Sequence, residues 1–489
     1  MPFSPLHGSF LRNMVALGIL FLILTLFTHL RSIGSISEIN RISHAIISSS
    51  ASLRSTPIAS NGGDLDRHQA DLPNPTTTQK QSLPLPSDYT FTNDVGWCER
   101  FMGVEYLYSF RDHHNPYCYS GASQLECFQI DFGDGKLQDP FCVADGIHLN
   151  KEKYFELSCD LRDESKREIA AFPKFMFGTG TKIILDTHFR IDNSIAKKSA
   201  VESLKCGSRN KKHGQRKTAI LFKRDGGANM WHSLMEVFSY YLSMDILSMT
   251  KDDQGIPFFH RNDMEDLQVI WVDDKGPGPY AEIECYDRVI IPNPGASNPL
   301  WQGDWEPRRC TNSTLLETFR RRIYRQFGVA EADLEPKPED GLTVTLIDRR
   351  QTRHLDNQDH YIKKLQERFP KLHIQTLDLW AISFEEQLRI LRSTNILVGT
   401  HGAGLTGTIF IPPRSNVVEI LPPNFWHKGF RNLAQLRGHR YFSAHAEERP
   451  GSDDWKGSSL FIEEDRFMEI MNIAVKSLYN TGHLNEDVN

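Results

Sequence analysis

The stretch GTHGAGLTG, Gly399 to Gly407, decides how the carboxy-terminal part of this 489-residue chain is read. Gly402, Gly404 and Gly407 satisfy G-x-G-x-x-G formally, the spacing at which a strand-to-helix turn brings backbone close to a pyrophosphate. A dinucleotide unit needs a strand before the glycines, a full helix after them, and a second strand ending in an acid that holds a ribose. Asn395 to Val398 (NILV) supplies the first strand. The helix fails. Only Leu405 to Phe410 has room to turn before Ile411-Pro412-Pro413, because proline lacks an N–H and drives the preceding residue out of the helical region. The next strand, Asn416 to Leu421 (NVVEIL), carries Glu419 in its middle rather than at its end. The loop therefore reads as the anion-cradling turn of another kind of α/β protein. A glycine turn that only lets backbone pass closely is the plainer alternative.

Working outward, Leu342 to Ile347 (LTVTLI) and His373 to Leu377 predict strands, and Tyr361 to Phe369 and Phe384 to Arg392 predict helices. Strands alternating with helices imply a largely parallel sheet, whose ligands gather at the carboxyl ends of its strands. The Arg-rich segment Asp348 to Arg353 (DRRQTR) and the glycine loop both follow strands directly, so they are expected at one crevice. A second α/β region precedes this one. Thr218 to Phe222, Leu267 to Val272 and Arg288 to Ile291 predict strands, and Met230 to Ile246 predicts a helix after the loop at 223–228. Leu315 to Phe327 has helical periodicity, with Arg320, Arg321, Arg322 and Arg325 expected on its exposed side. Pro336 to Gly341 reads as a linker. A last helix, Ile462 to Leu478, lines up Phe467, Ile470, Met471, Ala474 and Leu478, either to cross back onto the first region or to pack in its own core.

The amino terminus bears on the compartment. Met14 to Leu30 is an apolar run without Lys, Arg, Asp or Glu, at the short edge of what spans a bilayer. It is too long for the usual signal-peptide core and no A-x-A site follows, so it reads as a signal anchor after a cytoplasmic tail of residues 1–13. Residues 31–92, rich in Ser, Thr, Pro, Asn and Gln, read as a flexible luminal stem. From Trp97 onward the composition is globular. All eight cysteines lie there without any C-x-x-C pair, which argues for disulfides in an oxidising lumen rather than a zinc site, buried free thiols being the alternative. Asn312-Ser313-Thr314 is a glycosylation acceptor on the same side. The net charge of -6 has no long basic run, so nucleic acid is not expected as a partner.

Two constellations carry chemistry. A nucleotide-sugar diphosphate gains negative charge at its leaving oxygen as the glycosidic bond breaks, and fixed donors and cations stabilise that charge. Backbone N–H groups from Gly402 through Ala403 and Gly404 to Leu405, the guanidinium of Arg350 or Arg353, and His401 are the candidates. The second constellation is Asn229, His232 and Glu236. His232 and Glu236 stand four residues apart on one helix face, where they can orient an acceptor hydroxyl and remove its proton. Capping or a buried polar role is the alternative. The spacing is not that of a zinc helix.

In order along the chain, CYDRVIIP (Cys285 to Pro292), VTLIDRRQTRHLDN (Val344 to Asn357), FEEQLRILRSTNILVGTHGAGL (Phe384 to Leu405) and LRGHRYF (Leu436 to Phe442) together resemble glycosyltransferase family 61. The likeness is greatest to its branch of EGF-domain-specific O-linked N-acetylglucosamine transferases and covers roughly Trp97 to His445. The resemblance implies a GT-B-like architecture, two Rossmann-type domains facing a cleft, with an acceptor-side domain at 93–337 and a nucleotide-sugar-binding domain with closing helix at 338–489. It also implies an inverting transfer from a UDP-sugar, UDP-N-acetylglucosamine being favoured over UDP-xylose, to a hydroxyl of a secretory-pathway protein or glycan. Arg350, Arg353, His401, Gly402 and Gly404 match donor positions, with Glu419 a ribose contact. Asn229, His232 and Glu236 match N-x-x-H-x-x-x-D/E, with Glu where the close relatives carry Asp. The chain ends without a KDEL-like signal, so retention by the anchor in the Golgi or endoplasmic reticulum is expected. Its only D-x-D, Asp64-Leu65-Asp66, lies in the stem; no obligatory divalent metal or other cofactor is expected, with Asp273-Asp274 the one weak candidate. A transferase-like binder without turnover is the competing class, and a dinucleotide enzyme is a distant third.

Overall fold

A computed structural model describes residues 83–90, 96–130, 139–150, 152–173, 178–192, 217–223, 229–264, 267–272, 284–330, 341–350, 352–449 and 459–480. The expected anchor at Met14 to Leu30, most of the stem, Gly226-Gly227, Asp273-Asp274, most of the linker and the carboxy-terminal residues lie outside them. Among the described residues no helix is long and apolar enough to cross a membrane.

The chain is a mixed α/β protein built on two main sheets. Helices α1 (Trp97–Met102) and α2 (Glu105–Asp112) lead into strands β1 (His114–Pro116), β2 (Cys118–Gly121), β3 (Gln124–Phe128), β4 (Phe141–Leu149), β5 (Phe155–Leu157) and β6 (Cys159–Leu161). Helices α3 (Asp163–Ala171) and α4 (Thr181–His188), strands β7 (Phe189–Ile191) and β8 (Thr218–Phe222), helix α5 (Met230–Met249), strands β9 (Leu267–Trp271) and β10 (Glu284–Ile291) and helix α6 (Thr314–Gln326) complete this half. Its sheet runs β1-β3-β4-β10-β8-β9, with β5 and β7 added beside β4; β2 and β6 pair separately. The three strands expected from sequence, β8, β9 and β10, run parallel to one another, as β5 and β7 also do. The long strand β10 then pairs antiparallel with β4, widening the sheet in a way its apolar run does not reveal.

The second half alternates strand and helix: β11 (Thr343–Ile347), α7 (Gln358–Arg368), β12 (His373–Leu377), α8 (Phe384–Leu391), β13 (Ile396–Thr400), a 3-10 turn (Ala403–Ile409), β14 (Asn416–Leu421), α9 (Gly429–Leu436), β15 (Arg440–His445) and α10 (Glu464–Tyr479). All five strands are parallel, in the order β12-β11-β13-β14-β15. Chain direction across the sheet therefore reverses between β11 and β13, where connections leave to opposite sides and open a crevice above the carboxyl ends. The short turn after the glycines arises from Pro412 and Pro413, as the sequence predicts. Helix α10 packs against α7, β14 and β15 in the core of its own half, with Asn416 donating to the Ala474 carbonyl at 2.6 Å. It does not carry the core of the first half.

The halves share a core. Helix α6 lays Tyr324 and Phe327 against Phe410 and Phe384, with ring centroids 5.9 and 5.3 Å apart respectively, and the Tyr324 hydroxyl donates to the Phe410 carbonyl. Arg325 is exposed as expected, but the other three arginines of α6 depart from expectation. Arg320 is 3% exposed and donates two hydrogen bonds to Glu317, which Arg437 also meets. Arg322 reaches Asp88 at 2.7 Å and Asp245 at 2.6 Å, and Arg321 donates to the Asp88 carbonyl. Helical periodicity treats one face as solvated, whereas α6 is covered by residues 83–90 and by the second half. Residues 83–90, expected to be stem, are thus bound. Leu83 donates to the Met249 carbonyl, and the buried Tyr89 donates to Asp245 at 2.5 Å.

Disulfides join Cys98 to Cys310, Cys118 to Cys159 and Cys127 to Cys142, and Cys285 is also disulfide-bonded. The first of these fastens α1 to the segment entering α6. Asn312 stands two residues beyond it, half-buried, with Ser313 capping α6 through the Leu316 N–H.

Removing Arg322 would strand Asp245 in a buried position, where loss of one member of an ion pair typically costs about 3–5 kcal/mol. Arg322→Ala is expected to lower the urea midpoint of the transition that releases residues 83–90; an unchanged midpoint would show that the network contributes nothing. A second test concerns His439, which is buried beside Arg437 and Arg320, both effects holding its imidazole well below the usual histidine range. The unfolded chain gains a proton near pH 6.5 that the folded imidazole refuses, so stability falls as pH drops below about 6.5. His439→Gln should flatten the decline in melting temperature between pH 7 and 5, and an unaltered slope would assign the decline elsewhere.

Candidate functional site

Two loops meet where the second sheet reverses. One follows β11 and carries the arginines; the other follows β13 and begins at His401. Gly402 has φ of +140°. A Cβ there would collide with Arg349 Nη1 and lie 2.9 Å from Arg353 Cζ, so the absent side chain is what lets two guanidinium groups lie over the loop. Gly404 serves packing instead, since its Cβ would stand 2.7 Å from Ile347 Cγ2 and 3.1 Å from Leu379 Cδ1. Gly402 thus makes room for two guanidinium groups, and Gly404 for the side chains of Ile347 and Leu379.

Arg349 donates to the Thr352 carbonyl at 3.1 Å, to Thr352 Oγ1 at 3.0 Å and to the His401 carbonyl at 3.3 Å, all neutral oxygens. Burial, and then the neighbouring Arg353, pull its guanidinium down to about 10. Burial likewise lowers Arg353, against the opposing attraction of Glu419. Arg353 also has φ of +52°, a left-handed conformation that non-glycine residues adopt at a cost and that collects at functional sites. Two half-buried cations held side by side make a site that an anion would relieve. Arg350, the other expected donor ligand, is not brought to it. Its side chain is 76% exposed and bonds to Asp348 at 2.8 Å. Three neighbouring arginines in DRRQTR gave sequence reasoning no way to tell which face the first takes.

His401 is buried, and its Nδ1 meets Glu419 Oε1 at 2.6 Å. The other Glu419 oxygen accepts from Tyr441 Oη at 2.5 Å. Glu419 is 1% exposed with both oxygens engaged by protein, so it orients His401 rather than offering a ready ribose contact. Its mid-strand position gives the reason: β14 is fully buried and Glu419 pairs in register beside Gly399 and Ser443. Burial lowers the His401 imidazole, with the Glu419 hydrogen bond opposing it. The Leu405 N–H, an expected ligand donor, is spent on the Gly402 carbonyl at 3.0 Å, and Ala403 opens the 3-10 turn.

The acceptor-side candidates sit on α5. Asn229 caps it, its Oδ1 accepting from the N–H groups of Trp231 and His232 at 3.0 and 3.4 Å. His232 packs against Trp301, with centroids 4.5 Å apart. Glu236, one turn deeper, is 8% exposed, and a Cβ on Gly295 would come within 3.1 Å of its Cδ. Asp139 is buried near it, and burial followed by the charge of Glu236 pushes Asp139 well above the carboxylate range.

Aromatic contacts join the two constellations. Trp231 meets Phe430 at 5.8 Å, and Phe430 meets His401 at 5.6 Å. Beside them, Asp304 from the first half bonds His427 Nε2 at 2.9 Å, and its carbonyl accepts from the Lys428 N–H at 2.8 Å. His427 and Phe425 in turn pack on His401 at 5.1 and 4.7 Å. Sequence reasoning missed Arg349, Asp304, His427 and Tyr441. Tyr441 lay in LRGHRYF and Arg349 in DRRQTR, whereas nothing local marked Asp304 or His427. No group of three or more metal-ligating side chains occurs among the described residues.

Gly402→Ala is expected to weaken binding of pyrophosphate or a nucleoside diphosphate by at least about tenfold, since the added methyl displaces both arginines. Calorimetric titration with a melting curve alongside checks this; full affinity in a folded variant would remove Gly402 from the site.

Residues 230–418 match the family model Glycosyltransferase 61. The chain is 27% identical over 252 residues to the EGF domain-specific O-linked N-acetylglucosamine transferase of Drosophila melanogaster, covering 45% of this chain and 44% of that protein. It is 29% identical over 253 residues to the protein of the same name from Mus musculus, covering 46% and 45%. Over 138 residues it is 30% identical to that of Canis lupus familiaris, covering 27% and 25%. The match thus spans less than half the length of these relatives. Its family span opens at the first residue of α5 and closes within β14, taking in His232, Glu236, Arg349, Arg353 and His401. Residues 230–418 are thus similar to glycosyltransferase family 61, and the matched span takes in residues of both constellations.

Proposed function

We propose that the protein is an inverting glycosyltransferase of GT-B-like organisation that moves N-acetylglucosamine from UDP-N-acetylglucosamine to a Ser or Thr hydroxyl of a secretory-pathway protein. The observation that carries the reading is the pair Arg349 and Arg353 over Gly402, at the point where the parallel sheet reverses. That position suits the diphosphate, with His401 beside it. In the reaction the acceptor oxygen bonds to the anomeric carbon while the bond from that carbon to the diphosphate breaks on the opposite face. The electron pair leaves on UDP, where the two guanidinium groups stabilise it. Glu236 takes the acceptor proton, and His232 holds the hydroxyl in place. The names of the relatives support the sugar, and the disulfides suit an oxidising lumen. Anchorage by Met14 to Leu30 would place the domain on the luminal side of the Golgi or endoplasmic reticulum membrane.

Mass-spectrometric turnover across UDP-N-acetylglucosamine, UDP-xylose and other nucleotide sugars, with and without EDTA and with NAD(H) as contrasting ligand, tests the reading. Release of UDP from one donor is expected, with UDP binding lost in Arg353→Ala. Glu236→Gln should lower kcat by roughly 100- to 10,000-fold with UDP affinity kept. UDP binding without turnover of any donor, peptide acceptors included, would instead establish a noncatalytic binder.

A further inference from the structure

We propose that Trp380, on the turn after β12, is the stacking platform for the uracil ring of the bound nucleotide, a specificity residue for the base. The inference rests on the donor-site reading above and deepens it. Trp380 is one of the large apolar side chains left exposed, at 64%. Yet its backbone is firmly held. Its N–H donates to Asp378 Oδ1 at 2.9 Å, and the Ala381 N–H donates to the Asp378 carbonyl at 3.2 Å. Beneath the turn, the buried Gln387 donates to the carbonyls of Leu379 and Ile382 at 2.9 and 3.3 Å. The turn therefore holds the Trp380 backbone in place while its indole stays open to solvent, so a flat ring can settle on it without the turn having to be ordered first.

Position supplies the rest. The residue before Trp380 borders the glycine loop, Leu379 Cδ1 standing 3.1 Å from where a Gly404 Cβ would be. A nucleotide whose diphosphate lies over Gly402 must run from there to one side of the reversal point or the other. The β14 side is taken. Phe425 and His427 pack on His401 there, and Asp304 of the first half fastens His427, so the wall continues toward Trp301 and His232. The reacting sugar and its acceptor belong on that side. The nucleoside then extends over β12, where the exposed Trp380 stands on the following turn. Every base has a π-face, and a pyrimidine stacks on an indole through it.

The test uses the purified full-length chain and three probes: UDP, uridine and inorganic pyrophosphate. Calorimetric titration should show Trp380→Ala weakening UDP by roughly 5- to 100-fold, with Trp380→Phe retaining most of the affinity. Pyrophosphate affinity should be unchanged in both variants and lost in Arg353→Ala. UDP should quench tryptophan fluorescence in the wild type and less in Trp380→Phe. Wild-type UDP affinity in Trp380→Ala, with Arg353→Ala still impaired, would overturn this inference and leave the donor-site reading intact. A wild-type chain that binds neither UDP nor pyrophosphate would overturn both. An equal loss of UDP and pyrophosphate in Trp380→Ala would also overturn the stacking role, since it would mean that the loop itself had moved.

Discussion

The arrangement depends on the seam between α6 and the turn that follows the glycines. Tyr324, fully buried, donates its hydroxyl to the Phe410 carbonyl, while Phe327, Phe384 and Phe410 interlock around it. Pro412 and Pro413 keep the turn from becoming a helix, and that shortness brings α6 and α5 up to the loop. A longer helix at this point would fill the space now occupied by the first half. The same prolines that spoil a dinucleotide fingerprint therefore create the seam, and the seam sets Trp231, Phe430 and His401 in one row.

Electrostatics divides the two sides of that row. Around α6, arginines are matched by carboxylates: Arg322 with Asp88 and Asp245, Arg320 and Arg437 with Glu317. Such networks fix geometry, because removing one member strands its partner in a buried position; Glu317 is shared by two guanidinium groups. The pair over Gly402 is different. Arg349 meets only neutral oxygens among its hydrogen-bond partners, and Arg353 repels it. Burial without a carboxylate among the hydrogen-bond partners of Arg349 is unfavourable for the empty protein, a cost that a phosphate in the proposed donor site would offset.

The second half was largely legible in the sequence. Of its first four strands, β11, β13 and β14 are short runs rich in apolar residues and β12 (HIQTL) is a more polar edge strand, each followed closely by a turn or helix, and local pattern suffices where neighbours in sequence are neighbours in space. Strand β15 and helix α9 sat inside or beside LRGHRYF without a clear period. The first half was less legible because β10 reads as a buried run yet pairs with strands on both sides, one of them antiparallel and far back in the chain. Long-range covering also misled: α6 looks amphipathic, but its charged side is roofed by residues 83–90 and by Arg437. At the site, Gly402, Arg353, His401 and Glu419 were within reach of a motif, although Glu419 turned out to be engaged on both oxygens. Asp304 and His427 were not, since each acquires meaning only from the other, 123 positions away.

The Glu419–His401 contact has a further bearing on how charge is handled. With Nδ1 hydrogen-bonded to the carboxylate, the neutral imidazole presents Nε2 as an acceptor, and the protonated ring presents it as a donor. Burial disfavours the protonated ring in the empty protein. A diphosphate bound near Arg349 and Arg353, as proposed, would shift the balance toward the cation through its negative charge. In the proposed donor site, protonation of His401 and binding of the anion would therefore assist each other, each raising the affinity for the other by the same factor. Glu419 makes this coupling available by holding the ring in one orientation in both protonation states, and Tyr441 holds Glu419.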